Sequence, residues 1–454
     1  MPKPPPPVPR AAEGDAHVKE TLERFQDLKF GLMVHWGTYS VWGAVESWPI
    51  VDAEPYGRDA LPAWYASRQD SDVFMQRYFA LNRQFCPTHF DPDSWAEAAA
   101  DAGMNYFVFT TKHHDGFCMF DTRTTSYRTT HPSCPFHSHP LANVTGAVLE
   151  AFRRRGFQVG TYFSKADWHH ADYWNRDLPR RRREVNYDPA TSPQAWSRFV
   201  AFTHRQIEEL MTLYGPVAIL WLDADWVRAP SEDIRMAELV AMARRHQPGL
   251  LVVDRGVGGR FEDYKTPEQA IPERPPAGPW ESCITMAEQW SFRCNDLYKS
   301  SRQLIHMLAR IVAGGGNLLL NVGPRPDGRL PREALTRLAE IGSWLRVNAA
   351  AIYGTRPVHR STTGPLCLTR SKTTLYAICL AEEGHDTPPA RIVVPAVRNA
   401  TSVELLGVPG PLAWQCGPTG LTAELPDRVR HAQPCRHAWT LAISGATTDP
   451  TAAT

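Results

Sequence analysis

The chain has 454 residues, 43% hydrophobic and 21% charged, with 49 Lys and Arg against 48 Asp and Glu for a net charge of +1. This composition is globular, the length suits two domains, and a largely disordered chain is excluded. Near-zero charge gives no field to steer the protein to nucleic acid or an anionic membrane, so neither is expected as a partner, whereas 15 Trp and 17 His offer the flat apolar faces and polar rings that suit a sugar.

In chain order, residues 1–16 open on Met1-Pro2-Lys3-Pro4-Pro5-Pro6-Pro7 and read as a disordered, Pro-rich tail without the apolar core of a signal peptide. Strand-length apolar runs follow at 30–35, 106–111, 159–164, 217–223, 250–255 and 317–322. Helical periodicity lies between them at 94–102 (after the cap Asp91-Pro92-Asp93), 148–155, 196–214, 234–246, 301–313 and 332–347. Continuous apolar strands alternating with helices predict a parallel sheet covered by helices. An α/β fold with a (β/α)8-like TIM barrel over 17–356 fits best, with an open doubly wound sheet as the alternative. Past 356 short strands and Pro/Gly turns replace helices, which predicts a C-terminal all-β sandwich over 357–445 and a frayed tail over 446–454. No apolar run of membrane-spanning length exists. The nine cysteines are scattered without CxxC pairs, so a reduced cytoplasm is the expected compartment.

The strand ends turn from apolar to polar: His35-Trp36-Gly37, Lys112-His113-His114-Asp115, Ser164 before Asp167-Trp168, Trp221-Leu222-Asp223, Asp254-Arg255 and Asn321. In a (β/α)8 barrel such ends converge on one face and build the active site. No GxGxxG follows the first strand, which weakens the doubly wound alternative. Adjacent His113 and His114 point to opposite faces of a strand, and HExxH is absent, so no metal site and no cofactor are expected. A GxSxG nucleophile elbow is also missing. A carboxylate pair in an aromatic, neutral pocket remains, the equipment of a glycoside hydrolase.

Several blocks resemble the α-L-fucosidase family, glycoside hydrolase family 29. They are Lys29-Phe30-Gly31-Leu32-Met33-Val34-His35-Trp36-Gly37, Thr111-Lys112-His113-His114-Asp115-Gly116-Phe117, Leu220-Trp221-Leu222-Asp223, Asp254-Arg255, Asp263-Tyr264-Lys265-Thr266-Pro267-Glu268, Gly316-Asn317-Leu318-Leu319-Leu320-Asn321-Val322-Gly323-Pro324 and Ala351-Ile352-Tyr353-Gly354-Thr355, in the family's order. The resemblance implies retaining, exo-acting hydrolysis of terminal α-L-fucosyl linkages in fucosylated oligosaccharides or glycoconjugates. It assigns the nucleophile to Asp223; Asp225 competes, because alternation puts it on the same face. The acid/base matches Glu268, with Glu281 as the alternative and Asp296 as a third carboxylate. His35, His113 and His114 match sugar-hydroxyl ligands, Trp221 lines the pocket, and Arg255 reaches the sugar or the nucleophile. Trp64 resembles an aromatic ligand of the first loop, where the family often has Glu and this chain has Ala63; Glu46 is the carboxylate that could replace it. The basic run Arg180-Arg181-Arg182-Arg183 reads as solvated surface charge. A non-catalytic carbohydrate-binding relative, a hydrolase of a related sugar such as an α-L-galactoside, and a metal-dependent hydrolase stay open as rivals, as does a homo-oligomeric state.

Overall fold

The structure is a computed structural model that describes residues 16–51, 71–179, 182–385, 387–417 and 420–448. Most of both expected tails, Ala63, Trp64, Arg180 and Arg181 lie outside the described residues. Seven parallel strands form the first sheet: β1 (Phe30–Val34), β2 (Tyr106–Lys112), β3 (Gln158–Ser164), β4 (Ile219–Asp223), β5 (Leu251–Asp254), β6 (Glu281–Thr285) and β7 (Asn317–Val322), in the order β5-β4-β3-β2-β1-β7-β6. Nearly every residue of these strands is buried. This is why their sequences are continuous apolar runs: a sheet covered on both faces has no solvent side to alternate with.

The sheet curls into a barrel, but only seven of the eight expected staves are regular strands. An irregular segment, 261–269, stands in the eighth position between β5 and β6. Asp254 N–H donates to Phe261 O and Asp263 N–H to Val252 O on the β5 side. On the other side Glu281 N–H donates to Lys265 O and Cys283 N–H to Pro267 O, and Gln269 N–H returns a bond to Cys283 O. Both edges are thereby paired, which removes the exposed strand edges of an open sheet. The segment also delivers Glu268 to the barrel mouth.

Helix α1 (Ala16–Leu28) closes the opposite end, with Phe25 stacked on Tyr264 at 4.4 Å and edge-on to Tyr106 at 5.3 Å. These rings join Met33, Tyr162, Trp221 and Leu319 in the core inside the barrel. Gly31 has a packing reason: a Cβ there would stand 2.5 Å from the Tyr106 ring. Around the outside lie α2 (Ser71–Phe79), α3 (Pro92–Asp101), α4 (Val144–Arg154), α5 (Pro193–Leu213), α6 (Met236–His246), α7 (Ser301–Ala313) and α8 (Arg332–Asn348). The Asp91 cap is observed, its side chain accepting from the N–H groups of Asp93 and Ser94 at 3.1 and 3.3 Å. Ser300 and Gln303 form a reciprocal capping box at the start of α7. No helix among the described residues is long and apolar enough to cross a membrane.

The C-terminal region is antiparallel. A hairpin, β9 (Leu366–Arg370) and β10 (Thr374–Leu380), is joined by β8 (Arg356–Thr363), β13 (Ser402–Leu405) and β16 (Ala438–Ser444) in a five-stranded sheet. A second sheet holds β11 (Arg391–Pro395), β14 (Ala413–Gly417) and β15 (Gly420–Glu424). One apolar core containing Leu375, Leu441, Ile392 and Leu421 joins the two sheets. β12 (Val397–Arg398) pairs with β17 (Thr447–Thr448), so the chain is still paired beyond Gly445, where fraying was expected. The region docks on the barrel helices: Trp344 Nε1 donates to Ala438 O at 2.9 Å and His306 Nε2 to His437 O at 2.8 Å.

Candidate active site

The polar strand ends meet at one mouth, around a cavity of about 550 Å³. Its lining includes His35, Glu46, His113, His114, Trp221, Asp223, Arg255 and Glu268. Asp223 ends β4, in register with Ser164 of β3. Its Oδ1 accepts from Arg255 Nη1 at 2.8 Å and its Oδ2 from the Tyr162 hydroxyl at 2.6 Å. Burial alone would raise this carboxyl's pKa, but the Arg255 guanidinium and the Tyr162 hydroxyl hold it far below the ordinary carboxylate range. Asp223 is therefore an ionised carboxylate at any working pH. Arg255 follows β5 directly, and its other nitrogen, Nη2, contacts Glu268 Oε2. One guanidinium fork thus engages both predicted carboxyl groups. The Glu268 side chain is 42% exposed at the mouth.

The three histidines are buried, and burial drives all of them toward the neutral form. His35 falls to about 4, with Asn321 and Asp223 opposing the shift; His114 falls to about 3, with Asp223 opposing; His113 lies well below its ordinary value. Their neighbours fix the tautomers. Asn321 Nδ2 donates to Trp290 O at 2.6 Å, which turns Asn321 Oδ1 toward His35 Nδ1 at 2.9 Å. His35 Nδ1 must carry the proton, leaving Nε2 as an acceptor. Ser164 Oγ donates to Ala166 O at 2.9 Å and so accepts from His114 Nδ1 at 2.6 Å, which again leaves Nε2 as an acceptor. His114 Nε2 and Asp223 Oδ2 stand 3.8 Å apart, two acceptors that a single sugar hydroxyl can approach. His113 Nδ1 contacts Ser47 Oγ.

Atoms of His113, His114 and Asp223 lie within 4.8 Å of one another, a grouping able to hold a metal ion. However, Arg255 and Tyr162 already donate to both oxygens of Asp223, and a guanidinium on the carboxylate opposes a second cation. The set is arranged for hydroxyls.

Glu46 lines the cavity but is fully buried, accepting from Ser291 N–H at 2.8 Å. Burial raises its pKa to about 8 against the Ser291 bonds, so it is a neutral acid at pH 7 and can donate where the histidines accept. Asp225 lines the mouth, half-buried, outside the Arg255 fork. Asp296 is a loop cap whose oxygens accept the N–H groups of Gln289 and Leu297 at 3.2 and 2.9 Å.

Glu281 is not at the mouth. It is the first residue of β6, at the far end of the strand, buried beneath Trp221. Its two oxygens accept from Trp221 Nε1 at 3.2 Å and Tyr106 Oη at 2.8 Å. It fixes the indole that floors the pocket. Burial raises its pKa to about 7, with the Tyr106 and Trp221 bonds opposing. A raised carboxyl favours the folded state below its unfolded value near 4.5, and that advantage is lost as pH rises through 7. Wild type should therefore lose on the order of 2–3 kcal/mol of stability relative to Glu281→Gln between pH 4.5 and 8, read by urea denaturation of both proteins at each pH.

Tyr162, Trp48, Trp226, Glu288 and Trp290 also line the cavity; of these only Trp226, just past the polar end of β4, stands out in the sequence as a pocket tryptophan. Tyr162 was findable, since it points into the barrel with Ser164, two residues on. Arg183 overturns its expected place among solvated surface charges. It lines the cavity, its guanidinium 4.8 Å from the centre of the Trp226 ring.

Comparison with known proteins agrees with this geometry. The α-L-fucosidase family model matches residues 10–350, and the α-L-fucosidase C-terminal domain model matches residues 360–444. Tissue α-L-fucosidase of Bos taurus is 28% identical over 444 residues, covering 93% of this chain and 88% of the bovine one. α-L-Fucosidase isoenzyme 1 of Paenibacillus thiaminolyticus superposes with a TM-score of 0.76 at 28% identity, over 94% of this chain and 99% of that one. A Bacteroides thetaiotaomicron α-L-fucosidase, trapped as a covalent intermediate with 2-fluoro-fucosyl fluoride, shares the fold with a TM-score of 0.74 at 22% identity, over 96% and 99% of the two chains. The mouth of polar strand ends and the match along both regions have one explanation: the chain belongs to the α-L-fucosidase family, glycoside hydrolase family 29.

Proposed function

We propose that this chain hydrolyses terminal α-L-fucosyl linkages with retention, Asp223 acting as nucleophile and Glu268 as acid/base. The observation that carries the reading is the Arg255 fork, which holds both carboxyl groups at the mouth of a pocket floored by neutral histidines and Trp221. Asp223 attacks the anomeric carbon while Glu268 gives a proton to the leaving oxygen. Glu268 then takes a proton from the water that cleaves the glycosyl ester. His35 and His114 accept from sugar hydroxyls, and the neutral acid Glu46 donates, a role that the Ala63 departure leaves open for it. Every pocket residue comes from the barrel over 17–356; the β region, 357–445, braces α7 and α8. All nine cysteines are free, which supports a reducing compartment such as the cytoplasm.

The test is turnover of an aryl α-L-fucoside, followed by NMR from the first minute. Wild type should release α-L-fucose before mutarotation; β-L-fucose as first product would reject retention. Faster cleavage of an aryl α-L-galactoside would move the substrate assignment to that sugar. Tight fucose binding without turnover would point to a non-catalytic relative, a reading that the intact Asp223, Arg255 and Glu268 oppose.

A further inference from the structure

The cavity has two parts. His35, His113, His114 and Trp221 are buried at its blind end, while Arg183, Asp225, Trp226, Glu268 and Glu288 are half-buried or exposed at its mouth. An exo-acting enzyme puts the terminal sugar in the blind end, so the rest of the glycan leaves through the mouth. There the Arg183 guanidinium lies over the Trp226 ring, 4.8 Å from the indole centre, so that both present a surface to the departing glycan.

This surface is built into the fold. Trp226 Nε1 donates to Tyr173 Oη at 3.0 Å, and Tyr173 Oη donates to Glu232 Oε2 at 2.9 Å. Glu232 Oε1 accepts from Val185 N–H at 3.1 Å. Arg183 O accepts from Trp168 Nε1 at 2.9 Å, and Glu184 O from Trp174 Nε1 at 3.0 Å. A buried carboxylate and three indole N–H groups thus fix both the Trp226 ring and the backbone that carries Arg183. A planar cation on an indole gives what the apolar face and hydroxyls of a neutral saccharide need: a stacking plane edged with hydrogen-bond donors.

We infer that Arg183 and Trp226 form the subsite for the leaving-group saccharide and set which fucosylated glycan is cleaved, an inference that rests on the hydrolase reading above. Two substrates with the same fucosyl group separate the two ideas. α-L-Fucosyl fluoride has no saccharide to lose, whereas a neutral fucosylated trisaccharide does; the trisaccharide is the one wild type cleaves fastest among α1,2, α1,3, α1,4 and α1,6 isomers. Arg183→Ala should lower kcat/KM about 10-fold on the trisaccharide, mainly through KM, and change it less than about 2-fold on the fluoride. Arg183→Lys keeps the charge without the plane and should recover only part of the loss. Equal losses on both substrates, or no loss on the trisaccharide, would overturn the subsite. Wild type inactive on both substrates would instead reject the hydrolase reading itself.

Discussion

Asp223→Ala should lower kcat on an aryl α-L-fucoside by roughly 10⁴-fold, the scale seen when a residue of the covalent machinery is removed. The substitution removes the group that bonds to the anomeric carbon and leaves the histidines to bind fucose, so the loss falls on kcat with KM within a few-fold. Azide then supplies the diagnostic. It fits the space vacated by the carboxylate and attacks the anomeric carbon from that face. The carbon–oxygen bond breaks as the carbon–nitrogen bond forms, Glu268 protonates the leaving oxygen, and the product is β-L-fucosyl azide. An α-azide, or wild-type activity in Asp223→Ala, would remove Asp223 from the nucleophile's place and bring Asp225 forward. The pH profile is a second readout. Asp223 is held ionised by Arg255, so its titration does not set the acid limb. His35, with its pKa lowered to about 4 by burial, charges first as pH falls and then cannot accept from a hydroxyl. The acid limb of wild-type kcat/KM should therefore stay flat down to about pH 5 and break near 4.

Local residue patterns carried most of the barrel, because a buried parallel strand is a run of apolar side chains whatever surrounds it. They did not carry β6. Its first residues, Glu281 and Ser282, are polar and become acceptable in a buried strand only because Tyr106 and Trp221 satisfy the first inside the barrel and the Ala270 carbonyl satisfies the second. Nor did they carry the eighth stave, 261–269, whose bonds to β5 and β6 have no period to detect. Helix α1 buries only Val18, Thr21 and Phe25, a stripe too narrow to stand out from a polar segment. The site divides in the same way. Residues at strand ends, from His35 to Arg255, were legible because strand direction alone sends them to the mouth. Arg183 was not, because a loop arginine reaches the pocket only through the Trp168 and Trp174 bonds to its segment. Separating Glu268 from Glu281 needed topology: both lie near aromatic residues, and only the fold shows that Glu281 begins a strand, away from the barrel mouth that Glu268 lines.

That choice makes the sharpest test of the proton donor. Glu268→Ala should lower kcat/KM by about 10²–10⁴-fold on substrates whose leaving group needs protonation, such as a fucosylated saccharide or a 4-methoxyphenyl fucoside. It should have far less effect on the first step with a 2,4-dinitrophenyl fucoside, whose phenolate departs without a proton. With that substrate the glycosyl ester on Asp223 forms but water attacks it slowly, so turnover shows a burst followed by a slow phase. Azide needs no general base. It should restore the slow phase and give α-L-fucosyl azide, the opposite anomer to the one expected from Asp223→Ala, because it enters from the face the leaving group left. Glu281→Ala should behave differently: Trp221 Nε1 and Tyr106 Oη lose their buried acceptor, at a cost of about 1–3 kcal/mol. Its activity should fall similarly for good and poor leaving groups, without azide rescue. If the leaving-group dependence and the α-azide appear in Glu281→Ala instead, the catalytic carboxyl is the buried one, and the Arg255–Glu268 contact only fixes the eighth stave.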